Sequence, residues 1–190
     1  MKVEYVTDTS SWKKWQCDYR LGLILILPPE DAGREVNRLR AKYDPPTYAC
    51  CPAHITLSDP LGLEMTPERE AEITRILSSV EPFRLYFDKP HASRERGGVA
   101  YPIRPREPID ALRATLHQAS VFTRPPYWTR TIAPHMTIAE FVSIEESWRI
   151  MDEIKDTAPS GSFLCDRLWF IVPDMDMHFQ RVKSYTLGKG

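Results

Sequence analysis

No stretch of this sequence is apolar for long enough to cross a bilayer. The longest run, Leu21 to Leu27, has seven residues, includes Gly22 and stops at Pro28, whereas a spanning helix needs about 20. Its position and abrupt end also differ from a secretory leader, so a cytoplasmic protein without membrane partners is expected. An excess of charge is missing too. The 25 basic and 26 acidic residues leave a net charge of -1, and proteins that coat long nucleic acid usually carry a strong positive surplus. A short RNA end or a small phosphorylated molecule needs only a local patch and stays open as a partner. The four cysteines, Cys17, Cys50, Cys51 and Cys165, include no C-x-x-C pair. Neither a disulfide framework nor a zinc site is signalled, and reduced thiols fit a cytoplasmic setting. Low-complexity segments and flexible linkers are absent as well. Residues 1–190 therefore read as one domain, with residues 1–20 as an N-terminal extension whose Trp12 and Trp15 are expected to pack on the body. Nothing in the sequence specifies an oligomeric state.

Proline is abundant, at 17 residues, and the pairs Pro28-Pro29, Pro45-Pro46 and Pro125-Pro126 mark element boundaries, because proline fits neither helix interiors nor central strands. Between these marks one plan occurs twice. Leu21 to Leu27 reads as a buried strand. A helix from Pro29 presents Val36, Leu39 and Tyr43 on one face and is stopped by Asp44-Pro45-Pro46. A strand containing His54 follows, then a helix with Thr66 as N-cap, Pro67 in its first turn and a stripe of Ile73, Ile76, Leu77 and Val80. Phe83 to Phe87 alternates and reads as a strand. The order then restarts after the Gly97-Gly98 turn: a strand over Val99 to Ile103, and a helix from Pro108 to Val121 with Ile109, Leu112, Leu116 and Ala119 inward. Next come a strand containing His135 and a helix capped by Ser143 and Glu146, with Ile144, Trp148, Met151 and Ile154 as its stripe. Two strands close the chain, Phe163 to Val172 and Phe179 to Leu187, joined by a turn at Asp174-Met175-Asp176.

Each copy of the plan carries a related tetrapeptide, His54-Ile55-Thr56-Leu57 and His135-Met136-Thr137-Ile138. In a strand, residues i and i+2 share a face. An imidazole and a hydroxyl are thus presented together, anchored by two buried neighbours. One such tetrapeptide arises easily by chance. Two among five histidines, 81 residues apart, each shortly after a proline and at the same point of a repeated plan, point to a shared site more than to structural histidines.

These paired motifs, apolar at the second and fourth positions, resemble the signature of the two-histidine phosphoesterase superfamily, which includes the bacterial 2'-5' RNA ligase and RNA 2',3'-cyclic phosphodiesterase family. The plan that supports the resemblance covers residues 21 to 187. It implies an α+β, bilobal, duplicated fold: two antiparallel sheets flanking a central cleft, with helices on the outer faces. It also implies that His54 and His135 are catalytic, that Thr56 and Thr137 bind phosphate, and that no metal or other cofactor takes part. The chemistry is consistent with this. Opening a cyclic phosphate needs a base for water and an acid for the leaving sugar oxygen, and histidine serves as either near neutral pH. Hydroxyls can donate to the non-bridging oxygens. The resulting expectation is a phosphodiesterase for 2',3'-cyclic phosphate or 2'-5' bonds on RNA ends or nucleotides, with ligation as the reverse reaction. The rival is a silent relative that only binds a nucleotide or RNA end.

A nucleotide needs an aromatic face and a cation. Tyr48 before the first motif, and Tyr127, Trp128 and Arg130 before the second, are the candidates. Loop aromatics also anchor loops, so these four rank below the motif residues. Arg94, Arg96, Arg104 and Arg106 read as a solvated turn rather than a basic rim. His91, His117 and His178 lack the motif and share no metal-ligand spacing.

Overall fold

The computed structural model describes residues 3–124 and 132–188. The fold is α+β, with antiparallel sheets and, among the described residues, six helices. In chain order these are α1 (Lys14–Cys17), β1 (Leu23–Ile26), α2 (Glu30–Tyr43), α3 (Pro45–Cys50), β2 (Ile55–Thr56), α4 (Pro67–Leu77), β3 (Phe83–Phe87), β4 (His91–Ala92), β5 (Val99–Pro102), α5 (Glu107–Leu116), β6 (His135–Ala139), α6 (Ile144–Ile154), β7 (Gly161–Cys165), β8 (Arg167–Pro173) and β9 (Phe179–Thr186).

One sheet has the order β2-β1-β8-β9. Strands β4-β5-β6 form a second and β3-β7 a third. An isolated bridge between Tyr86 and Arg104 ties β3 to the chain just beyond β5, with Tyr86 N and Arg104 N each donating to the other's carbonyl at 2.7 and 3.0 Å. Through this bridge the second sheet continues as β6-β5-β3-β7. Each motif strand is therefore an edge strand beside the first strand of its own half, and the two motif strands lie against each other. The ladder of β2 is short, but Ser58 lengthens it: its amide donates to the Ile24 carbonyl at 3.0 Å, and its hydroxyl accepts from Ile24 N at 2.8 Å.

The core explains why these segments take these forms. Ile24 and Ile26 of β1, Ile55 and Leu57 around β2, and Met136 and Ile138 of β6 are fully enclosed. Helix α4 buries Ile73, Ile76 and Leu77, and α5 buries Ile109, Leu112 and Leu116, as their spacing predicts. Thr66 caps α4 by accepting from Arg69 N at 3.4 Å, and Ser143 caps α6 by accepting from Glu146 N at 3.0 Å.

Several elements differ from the sequence expectation. Asp44-Pro45-Pro46 stops α2 and also starts α3: the Asp44 side chain accepts from Thr47 N, and proline suits a first helical turn. Helix α5 ends at Leu116, earlier than Val121. The segment from Phe163 to Val172 is two strands broken at Asp166. Helix α6 is rotated relative to its apolar stripe. Ser147, Ile150 and Ile154 are buried, while Ile144 is 43% and Trp148 47% exposed. The Ser147 hydroxyl draws that face inward, accepting from Gly98 N at 2.6 Å and donating to the Ser143 carbonyl at 2.8 Å. In α2, Arg40 rather than Leu39 or Tyr43 is fully buried, alongside Val36.

Candidate active site

Alternation places the first motif as its spelling predicts. Ile55 and Leu57 enter the core, while His54 and Thr56 stay partly exposed and line a hollow of about 290 Å³. The second motif repeats the pattern, with Met136 and Ile138 inward and His135 and Thr137 partly exposed.

Both imidazoles are held by the same local device. His54 Nδ1 lies 2.7 Å from the Pro52 carbonyl, and His135 Nδ1 lies 2.9 Å from the Ala133 carbonyl. A carbonyl can only accept, so each Nδ1 carries the proton when the ring is neutral, and the lone pair resides on each Nε2. The surroundings of the two rings differ. His54 keeps an accessible edge in the hollow, but the rest of its ring is enclosed. That desolvation pushes its pKa down to about 4, with the bond to Pro52 opposing and the positive charge of Arg40 and the nearby His135 adding to the fall. His54 is thus neutral near pH 7.

Two buried arginines cross between the halves. Arg40 of α2 donates to the Thr137 carbonyl of the second motif at 2.9 Å, and also to the Cys51 and Thr47 carbonyls at 3.0 and 3.3 Å. Arg113 of α5 donates to the Thr56 carbonyl of the first motif at 2.8 Å, to the Ile132 carbonyl at 3.3 Å and to Asp110 at 3.1 Å. Each motif strand is gripped at its threonine by a helix from the opposite half. Arg40 also lines the hollow, bringing a positive charge beside His54 and Thr56.

The walls hold residues that the sequence does not single out. Glu140, next after β6, faces Arg40, and its backbone amide donates to Asp44 Oδ2 at 2.8 Å. Burial raises its carboxyl pKa, Arg40 counters the rise, Asp44 adds to it, and His135 lowers it. Phe141 follows at a positive φ of 57° and is 83% exposed. A left-handed conformation is costly for a bulky side chain, and here it leaves an aromatic ring at the rim. Trp15, Tyr19 and Phe179 complete the aromatic wall. Tyr19 meets Trp15 and Phe179 edge to face, at ring separations of 6.2 and 6.1 Å. Of the two N-terminal tryptophans, Trp12 packs as expected, donating Nε1 to the Met175 carbonyl at 2.9 Å. Trp15 does not: it is 50% exposed and lines the hollow.

Tyr48 lines a neighbouring, larger hollow and not the one that holds His54. Tyr127, Trp128 and Arg130 lie outside the described residues. His117 is built into the structure: its Nδ1 donates to the Arg113 carbonyl at 2.8 Å and its Nε2 accepts from Asp59 N at 3.1 Å. Among the described residues, no group of three or more His, Cys, Asp or Glu side chains is arranged to hold a metal ion, and no helix is long and apolar enough to cross a membrane.

Comparison with known proteins gives a consistent result. Residues 28–176 match the sequence model of the 2'-5' RNA ligase superfamily. The protein BH1439 of Halalkalibacterium halodurans, a phosphoesterase by assignment, is 23% identical over 169 residues, which cover 87% of this chain and 96% of that protein. Among solved structures, apo LigT of E. coli aligns with a TM-score of 0.57 at 21% identity, covering 88% of this chain and 96% of LigT. LigT complexed with 3'-AMP aligns with a TM-score of 0.53 at 20% identity, covering 88% and 97%. At these identities the structural likeness establishes the fold.

Proposed function

Because this chain belongs to the 2'-5' RNA ligase superfamily, we propose that it processes phosphodiesters, and that its substrate is a 2',3'-cyclic phosphate or 2'-5' linkage on a nucleotide or RNA end. The observation that carries this reading is the state of His54. Its Nδ1 proton is committed to Pro52, its neutral form is favoured by burial, and its hollow also contains Thr56 and the Arg40 cation. A neutral imidazole with a free Nε2 is a base; a nearby cation and hydroxyl suit a phosphate.

In hydrolysis, His54 Nε2 takes a proton from water as the water oxygen bonds to phosphorus. His135, protonated at Nε2, gives its proton to the 2' oxygen as the P–O2' bond breaks. The Thr56 and Thr137 hydroxyls donate to the non-bridging oxygens. With a 5'-hydroxyl in place of water and O3' as the leaving oxygen, the same two proton transfers join RNA ends through a 2'-5' linkage. The aromatic wall of Trp15, Tyr19, Phe141 and Phe179 offers a face to the base, and the complex of LigT with 3'-AMP supports a nucleotide-sized ligand.

Incubation with a 2',3'-cyclic nucleotide in excess chelator, followed by chromatography of the products, tests the reading. Ring-opened nucleotide is expected, with kcat/KM losing activity on the acid side well below pH 6.5, since that limb reports the free enzyme's base. Binding without turnover, or turnover that survives His54→Ala, overturns it.

A further inference from the structure

We propose that the sheet face beside the histidines carries a second nucleotide subsite, centred on Trp169 and Arg181, for the residue adjoining the reacting phosphate of a single-stranded oligonucleotide. This deepens the proposed function and rests on it.

The register of the four-stranded sheet is the starting point. Thr56 of β2 pairs with Leu25 of β1, and Leu25 pairs with Trp169 of β8. Directly opposed residues of antiparallel strands point to the same face, so Thr56, Leu25 and Trp169 form one row. At about 4.8 Å per strand, Trp169 stands about 10 Å from the threonine assigned to phosphate, a span suited to the next nucleotide of an extended strand.

A bulge then delivers the cation. The β8–β9 register slips between Phe170 and Ile171, so Phe170 pairs with Lys183 and Ile171 with Arg181. Val182 is the extra residue. In a regular strand Arg181 and Lys183, two residues apart, would share a face. The bulge sends Lys183 to the other side, where it pairs with Glu70, while Arg181 joins the row of Trp169. Its guanidinium sits 5.1 Å from the Trp169 ring centroid. Bulges commonly re-aim a side chain beside a functional site.

The space above is large. Trp169 and Arg181 line a hollow of about 850 Å³ whose walls also include residues of α2 and β7, and which reaches Pro52 at the foot of the first motif. Its lining holds Arg34, Arg38, Arg167 and Arg181 against Glu30 and Asp166. Arg34 and Arg38 are matched to Glu30 and Glu35, while among the described residues Arg167 and Arg181 make no ion pair. Tyr48 stands at the same hollow, which gives it an aromatic role one nucleotide from where its sequence position suggests. A ring platform beside two unmatched guanidiniums is the combination that holds a single strand without reading its sequence: stacking for the base, cations for the phosphates.

The test compares a 2',3'-cyclic mononucleotide with a six-nucleotide RNA ending in the same cyclic phosphate. For the unaltered protein, KM for the oligonucleotide should be at least tenfold lower. Trp169→Ala and Arg181→Gln should each shrink that advantage about tenfold, the scale of one lost base stack, and Trp169→Phe should restore much of it. Equal KM values for both substrates in the unaltered protein overturn the subsite, as does an advantage that persists in both variants. Equilibrium binding of the matching 3'-phosphorylated, unreactive oligonucleotide and mononucleotide provides a second readout. A length advantage in binding that depends on Trp169, with no turnover of either cyclic substrate, upholds the subsite and refutes the hydrolytic reading. Turnover without a length advantage does the opposite.

Discussion

The two histidine strands share a spelling, an edge position and a ring tether, but they occupy different environments. The β2 ladder has two residues, extended by Ser58, and its histidine is enclosed enough to lose its proton well below the usual value. The β6 strand has five residues, and the bond that tethers its histidine is exposed. Arg40, fully buried, grips the Thr137 carbonyl of the second motif together with the Thr47 and Cys51 carbonyls ahead of the first; Arg113 grips the Thr56 carbonyl of the first motif and the Ile132 carbonyl ahead of the second, and leans on Asp110. Equivalent strands with unequal surroundings are what an acid–base pair requires, since the two members must hold different protonation states at one pH.

The strongest way to break this comparison is to remove the rings. His54→Ala and His135→Ala should each lower kcat by about 10²- to 10⁴-fold, measured on a cyclic nucleotide with the fold checked by circular dichroism. A large loss in only one variant would show that the strands are alike in form alone. Next come the crossed arginines. Arg40→Met should cost about 3 kcal/mol of stability in denaturant melts, because each carbonyl left without a donor inside the protein costs roughly 1–3 kcal/mol. Arg113→Met should cost less. The reverse order would mean that burial does not rank the two braces.

The pH dependence sharpens the difference further. The pKa of folded His54 lies below the unfolded value near 6.5, so acid favours the unfolded chain. Its contribution is full above pH 6.5 and falls away as the pH drops toward 4, by up to about 3 kcal/mol. His54→Asn should therefore flatten the stability curve between pH 6.5 and 4, and parallel curves for the two proteins would contradict the enclosed ring. The smallest effect is expected at the helix caps that follow the motifs. Ser143→Ala should cost about 1 kcal/mol, and Thr66→Ala less, because its bond is longer, 3.4 against 3.0 Å. Thermal melts can rank the two.

What could be read in advance follows a physical division. Period-two alternation exposes His54 and Thr56 while burying Ile55 and Leu57, and this needs only local geometry. The stripes of α4 and α5 are legible for the same reason. Arg40 is not, because a cation among polar helix residues reads as solvent-facing. Its burial depends on carbonyls from α3, the first motif loop and β6, all distant in sequence or outside any local period. Helix α6 misleads because an apolar stripe competes with Ser147, whose bond to Gly98 is a tertiary fact. Glu140 and Phe141 leave no local signal beyond their place directly after a motif strand. Likewise the bulge at Val182 cannot be seen in Arg181-Val182-Lys183, where plain alternation would put both cations on one side.

The tether from each imidazole to the carbonyl two residues earlier has a further consequence. The direction of the reactive nitrogen is written into a three-residue span of main chain, Pro52 to His54 and Ala133 to His135. No distant side chain is needed to choose the tautomer. The neighbourhood can therefore be rebuilt through successive substitutions, to suit other bases, other chain lengths or other leaving groups, while the nitrogen keeps its aim. In engineering terms the histidine and its tether are a portable cartridge, and the walls around it are the part free to vary.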